Sequence, residues 1–167
     1  IENKKNLGFA AANNQGIKKA TGRYILLLNS DTKLTEDAIS KMVGWMDKNH
    51  RVGVATCTLT NAEGSLQATG GSFPTLFKVS LWATFLDDFP LVGDIFGSYH
   101  PHTPAFFTQS NFFKRAHEQD WVTGAFFLIR GKTQKEVGFL DEQFFMYVEE
   151  VDYCFRAKKK GWGIWYV

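Results

Sequence analysis

Cysteine is scarce. The 167-residue chain has two, Cys57 and Cys154, and neither has a second Cys or a His at zinc-ligand spacing. That excludes a disulfide framework and a zinc knuckle, and leaves two buried thiols in a reducing compartment as the expectation. Long apolar runs are missing too. The best candidate, Leu76 to Leu86, is broken by Lys78 and Ser80 and falls short of the ~18 residues that a membrane-spanning helix needs. No signal peptide is expected. Charge of one sign is absent: 19 basic residues face 17 acidic ones, for a net charge of +2. Such a balance gives no broad electrostatic footprint for nucleic acid, which is not expected as a partner. Lys158, Lys159 and Lys160 read as a solvated helix end. The Gly-x-Gly-x-x-Gly dinucleotide fingerprint is lacking, because only Gly8 and Gly16 flank the candidate helix start. That argues against a nicotinamide-dependent oxidoreductase. Internal repeats and low-complexity tracts are lacking as well.

What is present is an ordinary globular balance, 44% hydrophobic and 22% charged, with the length of one domain or a piece of one. The aromatic load is high: 16 Phe, 5 Trp and 5 Tyr, more than half of them between Phe73 and Phe127. The chain begins at Ile1 and ends at Val167 inside a strand-like segment, so it reads as a piece cut at both ends.

Patterning gives an α/β order. A helix is expected from Phe9 to Ala20, stopped by Gly22. Tyr24-Ile-Leu-Leu-Leu28 is a short continuous apolar run, the pattern of a strand buried on both faces in a parallel sheet. Thr35 is placed as the cap of a second helix, with Glu36 and Asp37 in its first turn and Ile39, Met42, Val43 and Met46 on its apolar face. Val52 to Leu59 is a strand, and Asn61-Ala-Glu-Gly64 turns into a hairpin partner at Leu66 to Thr69. Strand, helix, strand in this order is a βαβ unit. From Gly70 to Asp120 the periodicity degrades, too long for a plain loop, so short helices and an insertion are expected. Val122 to Ile129 is a strand, Lys132 to Val137 a short helix, Glu149 to Lys160 a helix ended by Gly161, and Trp162 to Val167 a strand.

Three segments can carry chemistry. Asn29-Ser30-Asp31 stands at the carboxyl end of the first strand, where open α/β sheets bind ligands; the competing reading is an Asp that closes a turn. Glu149-Glu150-Val151-Asp152 opens a helix, where acids also serve simply to offset the dipole. Asp152 and Glu149 can each pair with Arg156, whereas Glu150 points roughly 120° away from it. Glu150 is therefore the carboxylate most available as a base. Asn6 to Gly16 combines small residues with amides, which suits close approach of a ligand. Tyr99-His-Pro-His102 lacks partners for a metal, and His50 and His117 receive no role.

Four motifs in order, GFAAANNQGI from Gly8, LLLNSD ending at Asp31, VTGAFFLIRG from Val122 and GFLDEQFFMYVEEVDYCFRAKKKGW from Gly138, resemble the family 2 glycosyltransferases of GT-A fold, in particular rhamnosyltransferase-like bacterial members. The resemblance spans nearly the whole chain outside the aromatic segment. It implies a Rossmann-like mixed sheet flanked by helices, a single partial domain over residues 1–167 with an insertion at about 70–120, and a missing N-terminal βαβ portion. It implies Asp31 as the ligand of a divalent cation, Mg or Mn, with Asn29 where the family's Asp-x-Asp element has its first Asp. It implies Glu150 as catalytic base where Asp is usual, with Glu149 and Asp152 as alternatives. Asn6, Gly8, Asn13, Asn14, Asn29 and Ser30 fall on the donor side, Gly124 and Trp121 on the acceptor side.

The implied activity is inverting transfer of a sugar from a nucleotide-diphosphate donor to a glycan or lipid-linked acceptor in cell-envelope polysaccharide synthesis, with thymidine diphosphate rhamnose as the donor to test first. A degenerate carbohydrate- or nucleotide-binding module is the alternative. The implied location is cytoplasmic, at the inner face of the membrane. The stripe Phe73, Phe77, Leu81, Trp82, Phe85, Leu86 and Phe89, followed by Phe106, Phe107, Phe112 and Phe113, offers either a peripheral membrane contact or packing against core or a partner subunit.

Overall fold

The computed structural model describes residues 1–35, 37–86, 89, 92, 95, 96 and 115–167. Its element order is α1 (Phe9–Lys19), β1 (Tyr24–Leu28), α2 (Ala38–Lys48), β2 (Val52–Thr56), β3 (Leu59–Thr60), β4 (Leu66–Gln67), β5 (Gly70–Gly71), α3 (Leu76–Ala83), β6 (His117–Gln119), β7 (Trp121–Val122), β8 (Phe126–Arg130), α4 (Gly131–Val137), α5 (Glu149–Lys159) and β9 (Gly163–Tyr166).

The main sheet has the order β1-β8-β2-β9-β6. β8 runs antiparallel to both β1 and β2, β9 is parallel to β2, and β6 is antiparallel to β9. The sheet is thus mixed, with β1, β2 and β9 sharing one direction and β8 inserted between two of them. Side chains alternate across it as a strand's period of two requires. Phe127 and Ile129 face one core with Leu27, Val54, Cys154, Ala157 and Ile164. Phe126 and Leu128 face the other with Met42 and Met46 of α2. Helices therefore cover both faces, α1 and α5 on one side and α2 on the other.

Several expectations change in detail. β1 is an edge strand among the described residues, hydrogen-bonded to β8 in antiparallel register, and Leu28 at its end is 38% exposed. Its apolar run reflects helices on both faces, and such a run carries no information about strand direction. α2 starts at Ala38 with Asp37 at the cap position and no side-chain cap bond, so Thr35 does not cap it; Glu36 lies outside the described residues. The strand expected from Val122 to Ile129 is two, because Val122 pairs with Gly70 and Phe126 onward pairs with β1. Thr123 to Ala125 carries the chain from one pairing to the other. Val52 to Leu59 divides for the same reason at Cys57. Lys158 is not a free helix-end charge: its ammonium binds the Gln119 carbonyl and the Asp120 carboxylate at 2.9 and 2.8 Å. The cysteines are free, with Cys154 buried and Cys57 half-buried.

The aromatic segment divides. Phe73 packs on the core and meets Phe155 edge-on. α3 has no fully buried residue: Leu76 and Phe77 are 91% and 54% exposed, whereas Leu81 and Trp82 are half-buried. Phe106, Phe107, Phe112, Phe113 and the Tyr99–His102 motif lie outside the described residues. Among the described residues no helix is long and apolar enough to cross a membrane.

Arg130, at the end of β8, donates to the carbonyls of Val52, Met46 and Asn49 and to the Tyr24 hydroxyl. It thereby closes the C-terminus of α2 onto the sheet. Arg130→Met should lower stability by about 2–3 kcal/mol, because it leaves buried carbonyls unpaired. Arg130→Lys should rescue little of this, since one ammonium cannot span the fork. Urea unfolding midpoints of the two variants check it.

Candidate active site

Direction decides what meets at the carboxyl end of the sheet. α1 leads into β1 and α5 into β9, so each helix runs back along the sheet and starts at the end where β1 and β9 finish. β8, running the other way, begins there: Leu28 is opposite Phe126. The starts of α1, α5 and β8 and the end of β1 therefore converge, as ligand sites in open α/β sheets do. A cavity of about 410 Å³ lies at this convergence.

Asn29 lines the cavity from the end of β1, its backbone N–H donating to the Ala125 carbonyl at 3.1 Å. Trp121, Thr123 and Gly124 line it from the β7–β8 connection, and Glu149 and Glu150 from the first turn of α5. Trp121 is buried and its indole N–H donates to the Ser72 carbonyl at 3.0 Å. A Cβ on Gly124 would come within 3.1 Å of the Phe9 ring, so the absence of a side chain there keeps the cavity open. Glu149 is 3% exposed and one oxygen of its carboxylate, Oε2, has no hydrogen-bond partner. Burial raises its pKa, against the opposing pull of its own backbone amide. Glu150 is half-buried, and its Oε2 is likewise without a partner. Its pKa is also raised, chiefly by burial and further by the Glu149 charge, while its own backbone amide and that of Gly124 act in the opposite sense by hydrogen bonding.

Asp31 and Ser30 are exposed in the turn after β1 and do not line this cavity. Asp31 and Asn29 present oxygen donors only, and among the described residues no three Cys, His, Asp or Glu gather to hold a metal. Magnesium and manganese bind through one or two carboxylates with phosphates and water completing the set. An exposed Asp31 at a strand end fits that requirement.

The remaining candidates serve the scaffold around the cavity. Asp152 is engaged by Arg156 at 2.8 Å, the pairing expected from the spacing, and Arg156 also donates to the Val137 and Phe139 carbonyls. Glu149 makes no such pair. Asn14, read as a donor contact, is buried with its amide committed: it donates to the Leu140 carbonyl and to Glu142, and accepts from the Leu140 amide. Asn13 donates to the Phe9 carbonyl within α1, and the Asn6 side chain accepts from the Gly8 amide. Gly8 has φ +84° and lies against Phe145, whose carbonyl a Cβ would strike. The Phe9 amide donates to that same carbonyl at 2.8 Å.

Residues 145–148, which fall inside the last motif but received no site role from it, form the outer wall. Phe145, Met146, Tyr147 and Val148 are all exposed, and Met146 to Val148 line the cavity. Tyr147 and Val148 have positive φ, 70° and 74°, which is costly for a β-branched residue. The signal for this wall is an apolar run with no strand partner directly ahead of an acidic helix start. A larger open depression of about 730 Å³ lies at the other end of the sheet. Its Arg130 is committed to backbone and its Arg23 to Asp47.

The family model for glycosyl transferase family 2 matches residues 1–155. The chain belongs to this family. It is 23% identical over 146 residues to an N-acetylglucosaminyl-diphospho-decaprenol L-rhamnosyltransferase of Mycobacterium tuberculosis, covering 86% of this chain and 44% of that protein. It is 22% identical over 168 residues to the low-salt glycan biosynthesis hexosyltransferase Agl10 of Haloferax volcanii, covering 98% of this chain and 47% of that one. The chain thus spans about half the length of the curated relatives it matches. Among solved structures it resembles GalNAc-T7, crystallised with UDP, GalNAc and Mn2+, with a TM-score of 0.63, 15% identity, and coverage of 100% of this chain and 30% of that one. The fold is that of a GT-A glycosyltransferase.

Val148→Gly removes the strained αL valine at little cost in burial. Relief of strain outweighs the added freedom of the unfolded glycine, so stability should rise by about 1 kcal/mol, read from thermal unfolding.

Proposed function

We propose that the chain carries the catalytic centre of an inverting glycosyltransferase that moves a sugar from a nucleoside-diphosphate donor to a hydroxyl of a glycan or lipid-linked acceptor, with Glu150 as general base. The observation that supports this is the state of Glu150: a half-buried carboxylate with an unpartnered oxygen, lining the cavity that Asn29 and Gly124 also line. The chain is read as part of one such domain, with residues 70–120 as its insertion.

In the reaction Glu150 takes the proton of the acceptor hydroxyl as its oxygen attacks the anomeric carbon. The new carbon–oxygen bond forms on the face opposite the leaving group, the bond to the donor phosphate breaks, and the nucleoside diphosphate departs with the electron pair. One displacement with one base inverts the anomeric centre. Asp31 would hold a divalent cation, Mg or Mn, beside the donor diphosphate, where such an ion neutralises charge as the phosphate leaves. Asn29 would orient the donor through its amide. Trp121 would face the acceptor as an apolar floor.

A lipid-linked acceptor is favoured by two considerations: the Mycobacterium relative is named for a decaprenol diphosphate substrate, and α3 presents Leu76 and Phe77 to solvent. By the same relative, rhamnose is the donor sugar to test first. A degenerate binding module is the second reading. It draws on Asn29 standing where a carboxylate is usual and on the lone Asp31.

Glu150→Gln should cut kcat by about 10³-fold, within the range of general-base catalysis, while donor still stabilises the protein in a thermal-shift assay. Asp31→Ala should abolish the manganese-dependent part of that stabilisation. Because the Glu150 pKa is raised, the acid limb of kcat/KM should fall at a pH above the ordinary glutamate range. Donor stabilisation without turnover in the wild-type protein would support the degenerate module.

A further inference from the structure

Glu149 is the unexplained group of the cavity. It sits in the first turn of α5, where the dipole favours an acid, but that advantage does not require burial, and Glu149 is 3% exposed. A carboxylate accepts up to four hydrogen bonds. Glu149 Oε2 has no hydrogen-bond partner, and the residue lines the cavity. Its neighbours offer no compensation. Glu150 beside it bears the same charge, and Thr123, Gly124 and Trp121 are neutral. Two turns or more along the helix, Arg156 is taken by Asp152, and Lys158 by Asp120. Cys154 is a buried thiol, and Tyr147 is exposed at the rim. A buried acceptor oxygen left unpaired costs stability in the free protein. Donors that arrive with a ligand would offset that cost.

Glu150 differs in one respect: it is half-buried, whereas Glu149 is 3% exposed. The more open carboxylate suits proton abstraction from an incoming hydroxyl. The more buried one, with Oε2 unpartnered, suits hydrogen bonding to a group that remains intact. We infer that Glu149 is an acceptor-binding residue, its carboxylate receiving the hydrogen bond of a second sugar hydroxyl adjacent to the one that Glu150 deprotonates. The chain then selects acceptors that carry two neighbouring free hydroxyls. This rests on the transferase reading above and assigns within it a role separate from that of the base.

The test is Glu149→Gln in the full-length protein, by two measurements. In the first, thermal unfolding is followed without ligand at pH 8 and pH 4.5. The raised pKa of Glu149 means that the folded state holds its proton more tightly than the unfolded one. The stabilisation from that proton is complete in acid and is lost as pH rises through the raised value. Gln carries no such loss, so the variant should melt roughly 2–5 °C above wild type at pH 8 and close to it at pH 4.5. A structural carboxylate would give a lower melting temperature at both.

In the second, transfer is measured to octyl glycosides of glucose, galactose, N-acetylglucosamine and rhamnose and to their monodeoxy analogues. Glu149→Gln should raise acceptor KM about tenfold or more with a smaller change in kcat, the reverse of the Glu150→Gln pattern. Removing the hydroxyl next to the nucleophile should raise KM for wild type and add little for the variant. A lower melting temperature, an unchanged KM, or a loss of kcat like that of Glu150→Gln each overturns the assignment. If wild type transfers to none of these glycosides or to water from any donor, the transferase reading falls and this role with it, whatever the melting curves show.

Discussion

The position of the two glutamates depends on how the segment ahead of α5 is tied to α1. Asn14 clamps Leu140 through both its amide and its carbonyl, and the Phe9 amide binds the Phe145 carbonyl. Beyond the second point the chain has little core of its own: Phe145 to Val148 are exposed. The clamp substitutes for burial, and it requires glycine at position 8, where any side chain would strike Phe145. From there the backbone passes through two residues of positive φ and starts α5 with Glu149 and Glu150 turned into the cavity. Loosening the clamp would misplace both carboxylates at once.

Around that clamp the structure holds several features that oppose stability. A β-branched residue sits in αL, two adjacent carboxylates have oxygens without partners, and an apolar wall faces water. None improves the fold, and all line one cavity. Elsewhere some charged groups are fully engaged, as with Arg130 at the opposite end of the sheet and Lys158 with Asp120, although Thr133 and Tyr153 also bury hydroxyls without partners. Concentration of unfavourable local choices at one place is what a functional site looks like when the surrounding scaffold is sound.

The sequence was legible where local pattern decides the outcome. α1, β1, α5 and the β3–β4 hairpin fall within a residue or two of expectation, because helical periodicity, an apolar run and an Asn-Ala-Glu-Gly turn are local signals. The convergence of Asn29, Gly124, Trp121, Glu149 and Glu150 was also reached, through motif order rather than spacing. Strand direction was not legible: nothing in Phe126 to Arg130 states that β8 enters antiparallel between β1 and β2. Nor could Asn14 be separated from its neighbour Asn13, since both are amides in a small-residue helix, and only the approach of Leu140 turns one into a clamp. Lys158 was misread because its partners, Asp120 and Gln119, are distant in sequence. The αL wall at Tyr147 and Val148 went unread because neither residue type favours that conformation.

The central claim is that one carboxylate, Glu150, abstracts a proton while its neighbour Glu149 stays out of the covalent chemistry. Two carboxylates in one cavity also permit a different course, in which one attacks the anomeric carbon and a glycosyl-enzyme forms and breaks down in two steps. Stereochemistry separates them. Proton NMR of the product formed from a donor of defined anomeric configuration, recorded early in turnover, reads the configuration at the new linkage directly. The account predicts inversion. Net retention would contradict it and make one of the two glutamates a nucleophile.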